Sequence, residues 1–138
     1  MHIGTDAQLG LTHSFTTTAA NVHDLNVSDQ LLHGAEEVGS CYRGIEKREA
    51  HRDLAVDWRV AMQPGQRRQL AADSNAAKVE KAKASIRAKV EHPFRYVKRM
   101  FGYDKVRSRG LHKNAKWLSL LLSFTNLLIN DTYELCEA

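Results

Sequence analysis

The sequence predicts an α/β domain with a mixed sheet, on three observations. Residues 2–18 hold two short extended stretches around a glycine turn. Strand-like and helix-like stretches then alternate as far as residue 62. A long periodic helix and a second apolar helix complete the chain, and alternation of this kind implies helices packed on a sheet.

Residues 2–6 are short and extended, and Ala7-Gln8-Leu9-Gly10 supplies a turn ending in glycine. Leu11, His13, Phe15 and Thr17 then alternate with Thr12, Ser14, Thr16 and Thr18, a period of two rich in β-branched threonine. A helix is expected over about 22–32, with Asp24 as its cap and His23 packed beside it, stopped at His33-Gly34. Residues 36–44 read as a strand end and a loop, 45–50 as a helix, and 54–62 as a strand ended by Pro64-Gly65. Residues 66–75 read as a polar loop.

The strongest signal is a helix over about 75–100. Val79, Ala82, Ile86, Val90, Phe94, Val97 and Phe101 recur at steps of three or four and make one apolar stripe. Pro93 lies inside it, lacks the N–H for the carbonyl of Lys89, and predicts a kink. Gly102 is a C-terminal cap. A basic connector over 103–113 leads to a last helix over about 114–130, apolar on most faces and expected to be buried, with Trp117 and the 120–122 leucine run as core. The chain thus divides into strands and helices of the sheet over 1–77 and a basic helix plus an apolar helix over 78–138.

Composition excludes several classes. Two cysteines, Cys41 and Cys136, cannot make a disulfide-dense scaffold and form no C-x-x-C pair. Seven histidines show no H-x3-H spacing, which argues against a zinc site. Residues 1–6 have no basic or apolar leader, and the apolar run over 117–129 is broken by Ser119, Ser123, Thr125 and Asn126. A cytoplasmic setting without a membrane partner is the expectation.

The net charge of +4 is unevenly spread. Residues 1–77 carry 7 Lys/Arg against 10 Asp/Glu, residues 78–116 carry 13 against 3, and residues 117–138 carry none against 3. One 39-residue segment therefore holds a charge of +10. It reads either as a solvated helix face or as a polyanion-binding surface. Tyr103, Lys105, Arg107 and Arg109 form an aromatic-basic cluster within it.

On an ideal helix Arg87, Glu91 and Lys98 share a face, and Arg95 lies one turn beyond Glu91. One carboxylate among cations has two readings. It is an i,i+4 ion-pair ladder worth a few tenths of a kcal/mol per pair, or a metal-binding carboxylate flanked by phosphate-binding cations.

Residues 81–103, KAKASIRAKVEHPFRYVKRMFGY, resemble the C-terminal catalytic helix of bacterial insertion-sequence DDE transposases, whose signature is Tyr-x2-Arg-x3-Glu-x6-Lys. Arg87, Glu91 and Lys98 match the Arg, Glu and Lys, and Ala84 stands at the Tyr position. Residues 2–14, 18–24, 60–65 and 106–111 also fit, in order. The resemblance implies an RNase H-like mixed sheet with flanking helices. It also implies two Mg²⁺ ions held by two aspartates and a glutamate for attack on a DNA phosphodiester. Glu91 would be the glutamate, with Arg87 and Lys98 orienting it or touching transposon-end DNA. Lys89, Arg95, Arg99, Lys105, Arg107 and Arg109 would contact that DNA.

The match departs from the family at both aspartates. The strand bearing the first would precede residue 1, and Gly39 occupies the position of the second. A single carboxylate does not satisfy two hard cations. The expectation is an N-terminally truncated catalytic domain that does not cut DNA. It would bind transposon ends, a full-length transposase or a second copy of itself.

Overall fold

The computed structural model describes residues 1–32, 38–39, 57–71 and 74–137. They belong to two compact units, one made of Met1–Leu32 with Lys89–Ala138 and the other of His33–Ala88.

The first unit opens with the expected hairpin. Strands β1 (His2–Thr5) and β2 (Thr12–Thr16) pair antiparallel with Ile3 opposite Phe15, and the register shifts between Gly4 and Thr5. Asp6 closes the turn. Its Oδ1 accepts the N–H of Gln8 and of Leu9, each at 2.8 Å, and its Oδ2 accepts that of Leu11 at 2.7 Å. Gly10 follows with φ of 78°, a left-handed conformation that a side chain would strain.

Two single 3-10 turns, Asp24–Asn26 and Ser28–Gln30, stand in place of the helix expected over 22–32. Local side-chain bonds compete with a helical ladder there. The N–H of Leu25 donates to His23 Nδ1 at 3.2 Å and Ser28 Oγ donates to the carbonyl of Leu25 at 2.9 Å. His23, expected only to pack beside a cap, itself satisfies a turn N–H.

The core lies between the hairpin and helix α3 (Leu111–Glu137), which extends past the expected bounds at both ends. Val97, Tyr103, Leu118, Leu121 and Leu122 are buried, with Met1, Ile3, Phe15 and Phe101 packed against them. Asn126 ties α3 to β2 through both atoms of its amide. Its Oδ1 accepts the N–H of Thr12 at 2.9 Å and its Nδ2 donates to the Thr12 carbonyl at 2.8 Å. Thr125 is fully buried and returns its hydroxyl to the carbonyl of Leu121 at 2.9 Å.

Helix α3 is not buried on most faces, contrary to expectation. Asn114, Leu118, Leu121, Leu122, Thr125 and Ile129 turn inward, but Trp117 is 47% exposed, Leu120 44%, Phe124 48% and Leu127 62%. Apolar content alone does not distinguish a core helix from one with a second apolar face.

In the second unit, strands β3 (Val38–Gly39) and β4 (Asp57–Trp58) pair parallel over two residues each. The strand expected over 54–62 does not continue past Trp58. The N–H of Met62 goes to Glu80 Oε2 at 2.7 Å rather than to a ladder. Pro64–Arg67 forms a one-turn helix, α1, where the proline was expected only to end a strand. Expectations for 33–37 and 40–56, including the His33-Gly34 stop and the 45–50 helix, lie outside the described residues.

Helix α2 (Asn75–Arg95) appears where the periodicity put it, and its continuation changes character at Tyr96–Met100, a π-helical turn. The wide turn closes with the N–H of Phe101 on the carbonyl of Tyr96 at 3.0 Å and that of Tyr103 on Val97 at 3.0 Å. Pro93 sits fully buried within the last regular turns. The irregularity falls three residues after it.

The RNase H-like mixed sheet is not what these residues form. Among the described residues the strands make two separate two-stranded ladders, β1–β2 and β3–β4, and helix predominates. In the first unit Ile3 and Phe15 pack on the core that α3 lines, and among the described residues neither edge of the β1–β2 hairpin pairs with a further strand. Among the described residues no helix is long and apolar enough to cross a membrane.

Candidate nucleic-acid interface

The C-terminal end of α2, the π-helical turn and the connector over 103–110 carry the cations of interest in the first unit. Each is positioned differently. Arg95, Arg99, Lys105 and Arg109 are exposed. Lys98 is also exposed, with Nζ 5.9 Å from the Phe94 ring centroid, a cation–π distance that orients it without removing it from water. Arg107 donates from Nη2 to the carbonyl of Gly102 at 2.9 Å.

Lys89 differs from the others. Its ammonium donates to the carbonyl of Ala7 at 3.0 Å and to that of Gln8, both in the hairpin turn. Gly10 packs against the same residue: a Cβ added there would lie 3.3 Å from Lys89 Cβ. Lys89 thus anchors the hairpin to the helix.

The connector is held from inside by two buried residues, Tyr103, which the sequence groups with the surface cations, and Asn114, which it reads only as a helix start. Asn114 is buried near the start of α3, and its Oδ1 accepts the Tyr103 hydroxyl at 2.7 Å. Its Nδ2 donates to the carbonyls of Ser108 and Gly110, each at 2.6 Å. One amide therefore fixes both ends of the segment that carries Lys105, Arg107 and Arg109. Gly110, with φ of 91°, makes the turn into α3. An Asn near a helix start, followed back by Gly, Ser and a Tyr eleven residues earlier, is the only sequence trace of this clamp. A cleft of about 520 Å³ opens beside it, lined by Thr18, Phe94, Val97, Lys98, Tyr103 and Asn114 among others.

Of the three signature matches, Arg87 and Glu91 lie on the regular part of α2, both exposed, and Lys98 falls in the π-helical turn. The regular 100° step that would put Lys98 in phase with the other two does not run through that turn. Two further carboxylates are committed elsewhere. Partial burial raises the pKa of Asp6, but the N–H groups of Leu9, Leu11 and Gln8 and the Lys89 charge outweigh it and hold the carboxyl below its usual range. Glu80 is held low by the Met62 N–H and by Lys83, whose Nζ lies 3.0 Å from Oε1.

Among the described residues the donors around Glu91 do not fit a two-metal centre. Among the described residues no group of three or more His, Cys, Asp or Glu side chains could hold a metal ion. Asp6 spends both oxygens on backbone N–H groups, and Gly39 has no side chain to donate. A divalent cation of the Mg²⁺ type needs several oxygen ligands, more than one exposed glutamate supplies.

The sequence-family model of the transposase DDE domain matches residues 1–127 of this chain. The chain therefore belongs to the DDE transposase domain family. No solved structure matches it.

Proposed function

We propose that this member of the DDE transposase family acts by binding DNA at transposon ends, and that it does not cut DNA with its own carboxylates. The observation that carries this reading is the row of exposed cations Arg95, Lys98, Arg99, Lys105 and Arg109. They are displayed along one helix end and a connector clamped by Asn114. Cations on a rigid support meet phosphates with less ordering cost than cations on a loose loop. The π-helical turn adds support, because such insertions recur at functional sites. Glu91 corresponds to the signature glutamate, and Arg87 and Lys98 to its basic companions. Among the described residues Glu91 has no partner carboxylates with which to hold a metal, and it stands as a single exposed acid on a basic helix.

Fluorescence anisotropy with duplexes from the ends of the parent insertion sequence, against scrambled duplexes, tests the binding. Preference for the ends, weakening steeply with salt, is expected. Absence of binding at low salt overturns the reading. Incubation of the same duplexes with Mg²⁺ or Mn²⁺ tests the rest: strand cleavage that Glu91→Gln abolishes would refute the non-cutting part.

A further inference from the structure

Helix α3 has two apolar faces. The first, from Asn114 to Ile129, is the core face. The second consists of Trp117, Leu120, Phe124 and Leu127, all between 44% and 62% exposed. Their spacing is three, four and three, the alternation of a coiled-coil seam. Extending the same heptad outward gives Lys113 at one end and Asp131 at the other, both exposed. At 100° per residue these six positions fall within about 80° of the helix circumference, with Lys113 and Asp131 at its centre.

We infer that this face pairs with the same face of a second copy, helix α3 against helix α3, antiparallel about a two-fold axis at Leu122. In that register three pairings arise together. Trp117 meets Leu127 of the other copy, Leu120 meets Phe124, and Lys113 meets Asp131. Each pairing occurs twice, as an isologous interface requires. The seam would thus be apolar in the middle and closed at both ends by opposite charges.

Charge along the helix selects this direction. Its beginning carries His112, Lys113 and Lys116, and its end carries Asp131, Glu134 and Glu137. There is no acid in the first turn and no base in the last. That polarity runs against the macrodipole, which favours acids at the start and bases at the end. An antiparallel partner supplies each end with the missing sign, whereas a parallel partner sets like against like.

The four side chains expose roughly 300–400 Å² of apolar surface. That is about half of the ~800 Å² each partner gives to an interface of standard size. The pair is accordingly a weak, transient dimer, populated at micromolar and higher protein concentrations.

Sedimentation equilibrium of the full chain without DNA tests the pairing. Wild type is expected to move from monomer toward dimer across that concentration range, and Leu120→Glu to remain monomeric with unchanged helicity. Lys113→Asp and Asp131→Lys are each expected to weaken self-association about tenfold, because each sets like charges together twice. Mixing the two variants restores a dimer, since both contacts then join opposite charges. A wild type that stays monomeric overturns the inference, as does a mixture that associates no better than its components. Because no DNA is present, failure here is distinct from failure of the DNA-binding reading.

Discussion

Replacing Lys89 and Arg99 in turn separates an anchor from a phosphate contact. Seven cations from Lys89 to Arg109 were candidates for DNA contact on sequence. The structure commits Lys89 to the carbonyls of Ala7 and Gln8 and Arg107 to that of Gly102. Five exposed cations without such a backbone bond remain, and if each neutralises one phosphate, log K falls against log salt with a slope of about −4.5. Affinity should then drop about 500-fold between 50 and 200 mM salt, as about 0.9 of slope comes from each contact. Arg99→Gln should reduce the slope to about −3.6 and the drop to about 150-fold. Lys89→Gln should leave the slope unchanged and cost about 0.5–1 kcal/mol of stability, the worth of an exposed charged bond to the turn. Anisotropy titrations at four salt concentrations measure the slopes, and urea unfolding measures the stability. Equal flattening by the two variants would refute the division, as would an Arg99→Gln protein with the wild-type slope.

Three further outcomes are expected. Asn126→Ala leaves the N–H and carbonyl of Thr12 without their partner and should cost about 2 kcal/mol by urea unfolding; a cost below about 0.5 kcal/mol would show that the amide bridge does not hold β2 to α3. Asn114→Ala should lower DNA affinity without changing the salt slope, because it loosens the connector but removes no charge, and a changed slope would count against the clamp. Asp6 has a folded pKa below its ordinary value of 3.8, so its stabilisation is complete above that value and is lost as pH falls through the lower folded one. Wild type should therefore lose more stability than Asp6→Asn on acidification below about pH 4, and identical acid profiles would refute this.

What the sequence disclosed was local. The hairpin followed from period-two alternation and a glycine turn, and α2 followed from a stripe with steps of three and four. Both patterns are set by neighbours along the chain. The segment over 22–32 was misread because His23 and Ser28 bond to nearby backbone and outcompete a helical ladder. The sheet was misread for a different reason. Family resemblance supplied an architecture, whereas among the described residues β1 and β2 pair only with each other, under a core lined by α3. Nothing in the alternation of the hairpin says which kind of element will cover it.

The candidate interface shows the same boundary at finer scale. Composition located the basic segment, and the signature match located Arg87, Glu91 and Lys98, but neither could rank the cations. Ranking depends on contacts far apart in sequence, such as Lys89 with a turn some 80 residues earlier. Pro93 makes the point physically. It has no N–H to give the Lys89 carbonyl, and Gly10 lies close to that same carbonyl. The helix therefore changes role along its length. Around Lys89 its side chain and backbone serve to seat the hairpin. Beyond Pro93 it widens into the π-helical turn, and there the cations face water. A charge count treats Lys89 and Arg99 alike, whereas the fold spends one on its own stability and leaves the other for a polyanion.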